Sequence, residues 1–194
     1  MGTFYLIVTL ILTGVANILA DCPDPIAPEF GFQKVYNTGS TLGQGSKVRF
    51  VCNTGYDLVG SPVSVCKEDG QWSLPSPQCI PNCPELSAPT NGEIAGKSSK
   101  YGMVVKFSCD YGFTVVGASM ATCKGGRWSH PTPECLANCQ DPGFPENSER
   151  FTEGFDHGDS VRFSCDAGFN MIGSSTVTCQ NGQWTHNAPL CVPE

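Results

Sequence analysis

The stretch VRFSCDAGFNMIGSSTVTCQNGQW, residues 161–184, decides the fold, because two further versions of it occur upstream. These are KVRFVCNTGYDLVGSPVSVCKEDGQW (residues 47–72) and VVKFSCDYGFTVVGASMATCKGGRW (residues 104–128). Each has an apolar-basic-apolar triplet before a Cys, a Gly and an aromatic residue after it, then a second Cys and a Trp. Repetition of a whole pattern indicates an array of small modules.

Cysteine spacing divides the chain into three sets of four. The sets are Cys22, Cys52, Cys66 and Cys79; Cys83, Cys109, Cys123 and Cys135; and Cys139, Cys165, Cys179 and Cys191. They place modules at residues 21–80, 82–136 and 138–192. The first interval is four residues longer in the first set, which predicts an insertion in a surface loop within residues 33–45. Cysteines in even number within small modules indicate disulfides and an oxidising compartment.

The start of the chain fits the same compartment. An apolar run from Phe4 to Leu12 precedes the small residues Gly14, Ala16 and Ala20, so residues 1–20 are interpreted as a secretory signal peptide. Because no Lys or Arg precedes the run, an uncleaved anchor stays the alternative. After Cys191 three residues follow, too few for a transmembrane helix or a lipid-anchor signal. We expect a secreted, extracellular protein with no stable membrane span after cleavage.

The triplets before the second Cys of each set predict strands. Apolar residues flank one basic residue, a period-two alternation that a helix would not use. Val48, Phe50, Val105, Phe107, Val161 and Phe163 should point inward, and Arg49, Lys106 and Arg162 outward. Glycine-containing turns then bring Trp72, Trp128 and Trp184 to a strand, where a repeated indole is expected to be structural core. The fold class is therefore predicted to be all-β.

Charge is unevenly distributed over the three modules, within a formal net charge of −7. The first carries 4 basic and 6 acidic residues, the second 5 and 4, and the third 2 and 8. Nucleic acid is not expected as a partner of such a chain. The bases of module two are the candidate contact for an acidic partner: Lys97, Lys100, Lys106, Lys124 and Arg127. Scattered solvated side chains are the alternative interpretation.

Taken together, these motifs resemble the complement control protein module, also called the sushi domain or short consensus repeat. The resemblance covers residues 22–191, three times over. It implies that the first Cys of each set pairs with the third and the second with the fourth, where spacing alone leaves three pairings open. The implied bridges are Cys22–Cys66, Cys52–Cys79, Cys83–Cys123, Cys109–Cys135, Cys139–Cys179 and Cys165–Cys191. Three-residue junctions between sets further predict a tandem, elongated array.

Metal and catalytic chemistry are not predicted. The pairs Cys79/Cys83 and Cys135/Cys139 straddle module boundaries, and no comparable pair within a module completes four zinc ligands. His130, His157 and His186 lie in no nucleophile, metal-ligand or carboxylate motif. No catalytic residue, metal site or cofactor is therefore assigned.

The resemblance implies a non-enzymatic protein that binds other proteins. The leading hypothesis is a complement regulator that engages an opsonin through adjacent modules. The alternative is a cell-adhesion, matrix or soluble receptor-like protein with no complement role, because the fold alone does not give the function.

Overall fold

A computed structural model describes residues 20–37 and 39–194. The described residues form strands, turns and bends, so the chain is all-β, and no helix among them could cross a membrane. The predicted signal peptide lies outside the described residues, apart from Ala20. The chain divides into two compact units, one ending at Cys79 and the other running from Ile80 to Glu194. The first contains module one, and the second contains modules two and three.

Each module folds into a larger antiparallel sheet and a two-stranded one. Module one has β1 (Gly31–Tyr36), β2 (Lys47–Cys52), β3 (Tyr56–Val59), β4 (Val63–Val65) and β5 (Gln78–Pro81). Module two has β6 (Gly92–Ala95), β7 (Val104–Cys109), β8 (Phe113–Val116), β9 (Met120–Lys124), β10 (Arg127–Trp128) and β11 (Glu134–Ala137). Module three has β12 (Ser148–Phe151), β13 (Ser160–Cys165), β14 (Phe169–Ile172), β15 (Thr176–Gln180), β16 (Gln183–Trp184) and β17 (Leu190–Pro193).

The larger sheets have the strand orders β1-β2-β4, β10-β9-β7-β6 and β12-β13-β15-β16. The small sheets are β3-β5, β11-β8 and β14-β17. In module one an isolated bridge between Cys66 and Trp72 stands where the other modules have a two-residue strand. The three modules therefore share one topology.

The alternation predicted for the central strands is confirmed. All six apolar residues of the triplets are buried, and Arg49, Lys106 and Arg162 are exposed. In module three, for example, Val161, Phe163 and Val177 form the core. So few buried residues give a small core, and each module carries two disulfides beside it.

The structure contains the six disulfides that the resemblance implies: Cys22–Cys66, Cys52–Cys79, Cys83–Cys123, Cys109–Cys135, Cys139–Cys179 and Cys165–Cys191. Every bridge joins cysteines of the same module, and none of the twelve is free. Eight of the twelve are buried. The bridges therefore stabilise each module separately.

The sequence predicted that the four extra residues of module one lie in a surface loop. The structure shows that they are not confined to a loop. Strand β1 pairs with β2 over six residues, whereas β6 and β12 pair with their neighbours over four. Two of the extra residues thus lengthen the strand, which ends at Tyr36, and two lengthen the loop. The sequence Gly31–Tyr36 allows this because its side chains alternate between half-buried and exposed positions.

Candidate partner-binding surfaces

The face of each larger sheet that points away from the core is its outer face. A row of three side chains crosses it, because residues directly opposite each other in antiparallel strands project to the same side. The rows are Lys34, Arg49 and Val63 in module one, Ala95, Lys106 and Met120 in module two, and Phe151, Arg162 and Thr176 in module three. A basic residue thus lies at the centre of every outer face.

The five bases predicted as a contact in module two do not lie on one surface. Arg127 lies directly opposite Lys124 on the β9–β10 hairpin. Lys100 lies at the same end of the sheet, because Gly102, in the same loop, donates its N–H to the carbonyl of Cys123, 2.9 Å away. Those three side chains are exposed and form a group of cations at one end of module two.

Two of the five lie apart from that group. Lys106 is at the centre of the outer face, opposite Met120. Lys97 lines a pocket of about 270 Å³ together with Val105 and Trp128, which places it on the core side of the sheet. The five bases are therefore distributed over a loop, the centre of the outer face and one end of the sheet, and a contact through them stays a prediction, with Lys100, Lys124 and Arg127 as its group of neighbours.

Sequence analysis missed the outer face of module one. Six exposed side chains form it: Phe32, Lys34, Tyr36, Lys47, Arg49 and Val63. Phe32, Tyr36 and Val63 are 53%, 49% and 37% exposed. The alternation of residues 31–36 carries the signal that could have revealed it, but no cysteine adjoins this stretch, and residues 33–36 fell within the segment assigned to a loop.

The cations on this face lie close together. Lys34 stands directly opposite Arg49, and Lys47 follows on the same strand. Among residues 20–37 and 39–194, no carboxylate forms an ion pair with any of the three. The ammonium of Lys34 lies 5.3 Å from the ring centroid of Tyr36, within range of a cation–π interaction. Like charges placed opposite each other on a sheet are unfavourable.

The fourth base of module one is neutralised. The Lys67 ammonium lies 3.0 Å from the carboxylate of Asp69. The hydrogen bond from Lys67 lowers the pKa of Asp69, and the backbone N–H of Gln71 lowers it further. Lys67 therefore belongs to a local turn, and the uncompensated positive charge of module one lies on the outer face.

In module three, Arg150 has a structural role. Its guanidinium forms an ion pair with Asp141 and lies 5.5 Å from the ring centroids of both Phe144 and Phe155. The backbone N–H of Gly143 and then the hydrogen bond from Arg150 lower the pKa of Asp141. Arg150 thus connects the first loop of the module to its core.

The open groove beside Arg150, about 930 Å³, has a mixed lining that includes Phe151, Glu153, Asp159 and Arg162. Because charges of both signs line it, the groove does not select a partner of either sign.

Asn138 is the centre of a polar network between modules two and three. Its N–H donates to the carbonyl of Gly112, and its side-chain oxygen accepts from the Thr114 hydroxyl at 2.6 Å and from the N–H of His157 at 3.2 Å. Its amide nitrogen donates to Asp156 at 2.5 Å. One side chain therefore contacts both modules of this unit.

His157 and Asn181 extend the network. The N–H of Asn181 donates to Nδ1 of His157 at 2.9 Å, and the Asn181 side-chain oxygen accepts from the N–H of Ala137, also at 2.9 Å. Sequence analysis gave His157 no role, because partners that lie 24 and 19 residues away form no local motif.

The three tryptophans have the same environment in each module. Each indole N–H donates to a backbone carbonyl near the first cysteine, from Trp72 to Pro23, from Trp128 to Pro84 and from Trp184 to Gln140, over 2.7–2.9 Å. The indoles are half-buried, and those of modules two and three pack against the buried cores. The tryptophans therefore have a structural role, because each indole connects the start of its module to the larger sheet.

The remaining histidines make local contacts. Nδ1 of His130 lies 3.0 Å from the hydroxyl of Ser129, and Nδ1 of His186 lies 3.2 Å from that of Thr185. Within the described part of the chain, no group of three or more His, Cys, Asp or Glu side chains has the arrangement of a metal site.

Comparison with known proteins gives three tandem matches to one family model. Residues 22–79, 83–135 and 139–191 each match the model described as Sushi repeat (SCR repeat). These matches together cover more than half of the chain.

The chain is also similar to much longer proteins. It is 35% identical over 178 residues to "Sushi, von Willebrand factor type A, EGF and pentraxin domain-containing protein 1" of Rattus norvegicus, which covers 89% of this chain and 5% of that protein. It is 31% identical over 182 residues to P-selectin of Mus musculus, covering 88% of this chain and 24% of that protein. The chain therefore spans only a small part of the length of these relatives.

Proposed function

The chain belongs to the Sushi repeat (SCR repeat) family, and from that premise we propose that it is an extracellular, non-enzymatic protein of the adhesion or matrix type. Its task is to bind other proteins through the exposed faces of its modules. The similarity to P-selectin and to the sushi protein with von Willebrand factor type A, EGF and pentraxin domains supports this type.

One structural observation carries the proposal. In every module the disulfides, the small core and the indole are used to hold the fold, whereas the outer face of the sheet presents a basic residue flanked by exposed side chains. Aromatic side chains and Arg are enriched at protein interfaces relative to the rest of a surface. The outer faces are therefore the surfaces through which a partner protein can make contact.

The experiment is a binding assay with the full chain, expressed with oxidised cysteines. Labelled protein is applied to cultured cells and to deposited extracellular matrix, before and after protease treatment of the surface. We expect saturable binding that protease treatment removes, because the partner is a protein. Absence of binding by chain with six verified disulfides would contradict the proposal.

A complement-regulator role is the second candidate, and the group Lys100, Lys124 and Arg127 favours it. Exposed cations of this kind raise the rate of association with an acidic opsonin and make it depend on salt. The test is surface binding to activated fragments of the third and fourth complement components at low and physiological salt. Under this hypothesis the variant Lys124→Glu/Arg127→Glu loses binding, and the matched variant Lys97→Glu, on the core side, keeps it.

A further inference from the structure

We propose that the outer face of module one is the site that binds an acidic segment of an extracellular protein, one that carries apolar side chains between its carboxylates. The inference depends on the proposed function, protein binding, and adds the location and the chemistry of the partner. It replaces the bases of module two as the primary contact.

The first argument is a comparison inside the chain. The sheet register identifies the matching positions in the other modules, which share the topology of module one. Opposite the same backbone positions, Phe32 is matched by Glu93 and Glu149, Lys34 by Ala95 and Phe151, and Lys47 by Val104 and Ser160, whereas β6 and β12 end before the position of Tyr36. The fold therefore does not require aromatic and basic residues at these positions, and module one alone combines them.

The second argument is electrostatic. Module one has more acidic than basic residues, yet three of its four bases lie on one face, and Lys34 stands directly opposite Arg49. Such a pair destabilises the sheet slightly. A local arrangement that opposes stability is expected where function requires it. A carboxylate between the two cations would relieve their repulsion and speed association.

The third argument distinguishes an acidic protein from a sulfated polysaccharide. Phe32, Tyr36 and Val63 lie among the cations and are 37% to 53% exposed. A polysaccharide would pair with the cations but would leave this apolar area in water. Apolar side chains of a protein cover it, and aromatic residues next to Arg are the usual centre of a protein interface.

The length of the strand supports an extended occupant. The two extra residues of β1 add the Tyr36–Lys47 pair to the face, which brings the pairs along β1 and β2 to six. Six residues of strand span about 20 Å. An extended segment of similar length can therefore place carboxylates opposite the cations and apolar side chains opposite Phe32 and Tyr36.

The test uses the full chain and two immobilised synthetic peptides of equal length and net charge. One alternates Glu with Leu and Tyr, and the other alternates Glu with Ser; heparin is a third probe. We expect the apolar peptide to bind about tenfold more tightly than the Ser peptide, and binding of both to weaken as salt rises. The variants Lys34→Glu/Arg49→Glu and Phe32→Ser/Tyr36→Ser should each lose about tenfold or more of the affinity for the apolar peptide.

Matched controls occupy the register positions of Arg49 in the other modules. The double variant Lys106→Glu/Arg162→Glu makes the same change in net charge as Lys34→Glu/Arg49→Glu, on equivalent strands, and it should alter the affinity for the apolar peptide by less than about twofold. Disulfide mass mapping and dispersed methyl NMR signals verify that every variant is folded. Equal losses in the controls would overturn the assignment to module one.

Three further outcomes would overturn the proposal. Peptide binding that is unchanged by Lys34→Glu/Arg49→Glu rules out this face. Heparin binding that survives Phe32→Ser/Tyr36→Ser, without binding of either peptide, makes it a polysaccharide site. Self-association that the charge reversal Lys34→Glu/Arg49→Glu abolishes makes a second copy of the chain the occupant.

Binding to cells or matrix distinguishes failure of this proposal from failure of the proposed function. If the charge-reversed variant still binds cells or matrix, the proposed function holds without this site. If the unmodified chain does not bind them, the proposed function is contradicted, whatever the peptides show.

Discussion

At the scale of single residues, Gly117 determines how module two closes. Its φ is +119°, and a Cβ at this position would lie 3.2 Å from the Cβ of Pro133, a contact that occurs again at Gly60 with Pro77 and at Gly173 with Pro189. An L side chain rarely adopts this φ, and the buried proline has little freedom to move away. The sequence PxC at the end of each module is thus coupled to a glycine in its middle.

We predict that Gly117→Ala destabilises the protein by about 2–3 kcal/mol, since backbone strain and a tight contact act together. The matched control is Gly112→Ala, where φ is also positive, +85°, but nothing lies within 4 Å of the added carbon. It should cost about 1–2 kcal/mol from the backbone alone. Chemical denaturation with disulfides intact measures both, and equal losses would show that Pro133 does not matter.

Asp141 gives a pH dependence with a definite sign. Its pKa in the folded chain lies below the ordinary value of 3.8 because of the Gly143 N–H and Arg150. A carboxyl with a lowered pKa adds stability that is present above its unfolded pKa and is lost as pH falls through its folded pKa. The melting temperature of Asp141→Asn should therefore fall below that of the unmodified chain at neutral pH.

That difference in melting temperature should stay constant above about pH 5 and shrink below about pH 3. Added salt should also reduce it, because Asp141 is exposed. Scanning calorimetry across this range is the measurement. A difference that grows on acidification would contradict the assigned direction of the pKa shift.

At the scale of elements, the connection between β11 and module three depends on one side chain. Asn138→Ala removes the acceptor for Thr114 and His157 and the donor to Asp156. Partly buried groups left without partners cost about 1–3 kcal/mol in total. We expect faster hydrogen exchange at the N–H groups of His157, Asn181 and Ala137, measured by mass spectrometry.

Asn187→Ala is the matched control for this prediction, because Asn187 is an exposed asparagine of the same module. It should leave exchange at all three sites unchanged. If Asn138→Ala also leaves exchange unchanged, the backbone bonds of the connection are sufficient to hold it, and the side-chain network is not required.

Elements differ in how far the sequence could predict them. The strands before the second cysteines were predictable because each combines a covalent landmark with a period-two pattern that recurs three times. Strand β1 was not, because its alternation, from Gly31 to Tyr36, occurs once and has no landmark. The bases of module two were predicted as one contact, but the structure has Lys106 at the centre of the outer face and Lys97 in the loop after β6, beside a pocket lined by Val105 and Trp128. The Asn138 network joins residues distant in sequence, which no local pattern shows.

At the scale of the whole molecule, repetition makes the architecture predictable and the function difficult to predict. The same topology is built three times from cysteines, glycines and indoles, so the fold follows from residues that have no direct part in binding. Differences between modules lie at exposed strand positions, such as Phe32 against Glu93 and Glu149, where the same fold carries an aromatic residue in one module and an acidic one in the others. Comparing matched positions within one chain therefore separates side chains that the fold needs from those available to a partner.

Because every bridge joins cysteines of the same module, stability should be lost one module at a time. Replacing Cys109 and Cys135 together by Ser removes a bridge that closes 26 residues and costs about 3–4 kcal/mol, a large fraction of what a module of this size possesses. We expect module two to unfold while Cys22–Cys66, Cys52–Cys79 and both bridges of module three still form. Limited proteolysis with disulfide mapping would show cleavage confined to residues 83–135. Cleavage in all three modules would instead mean that the modules fold as one cooperative unit, and the outer face of module one would then depend on its neighbours for its structure.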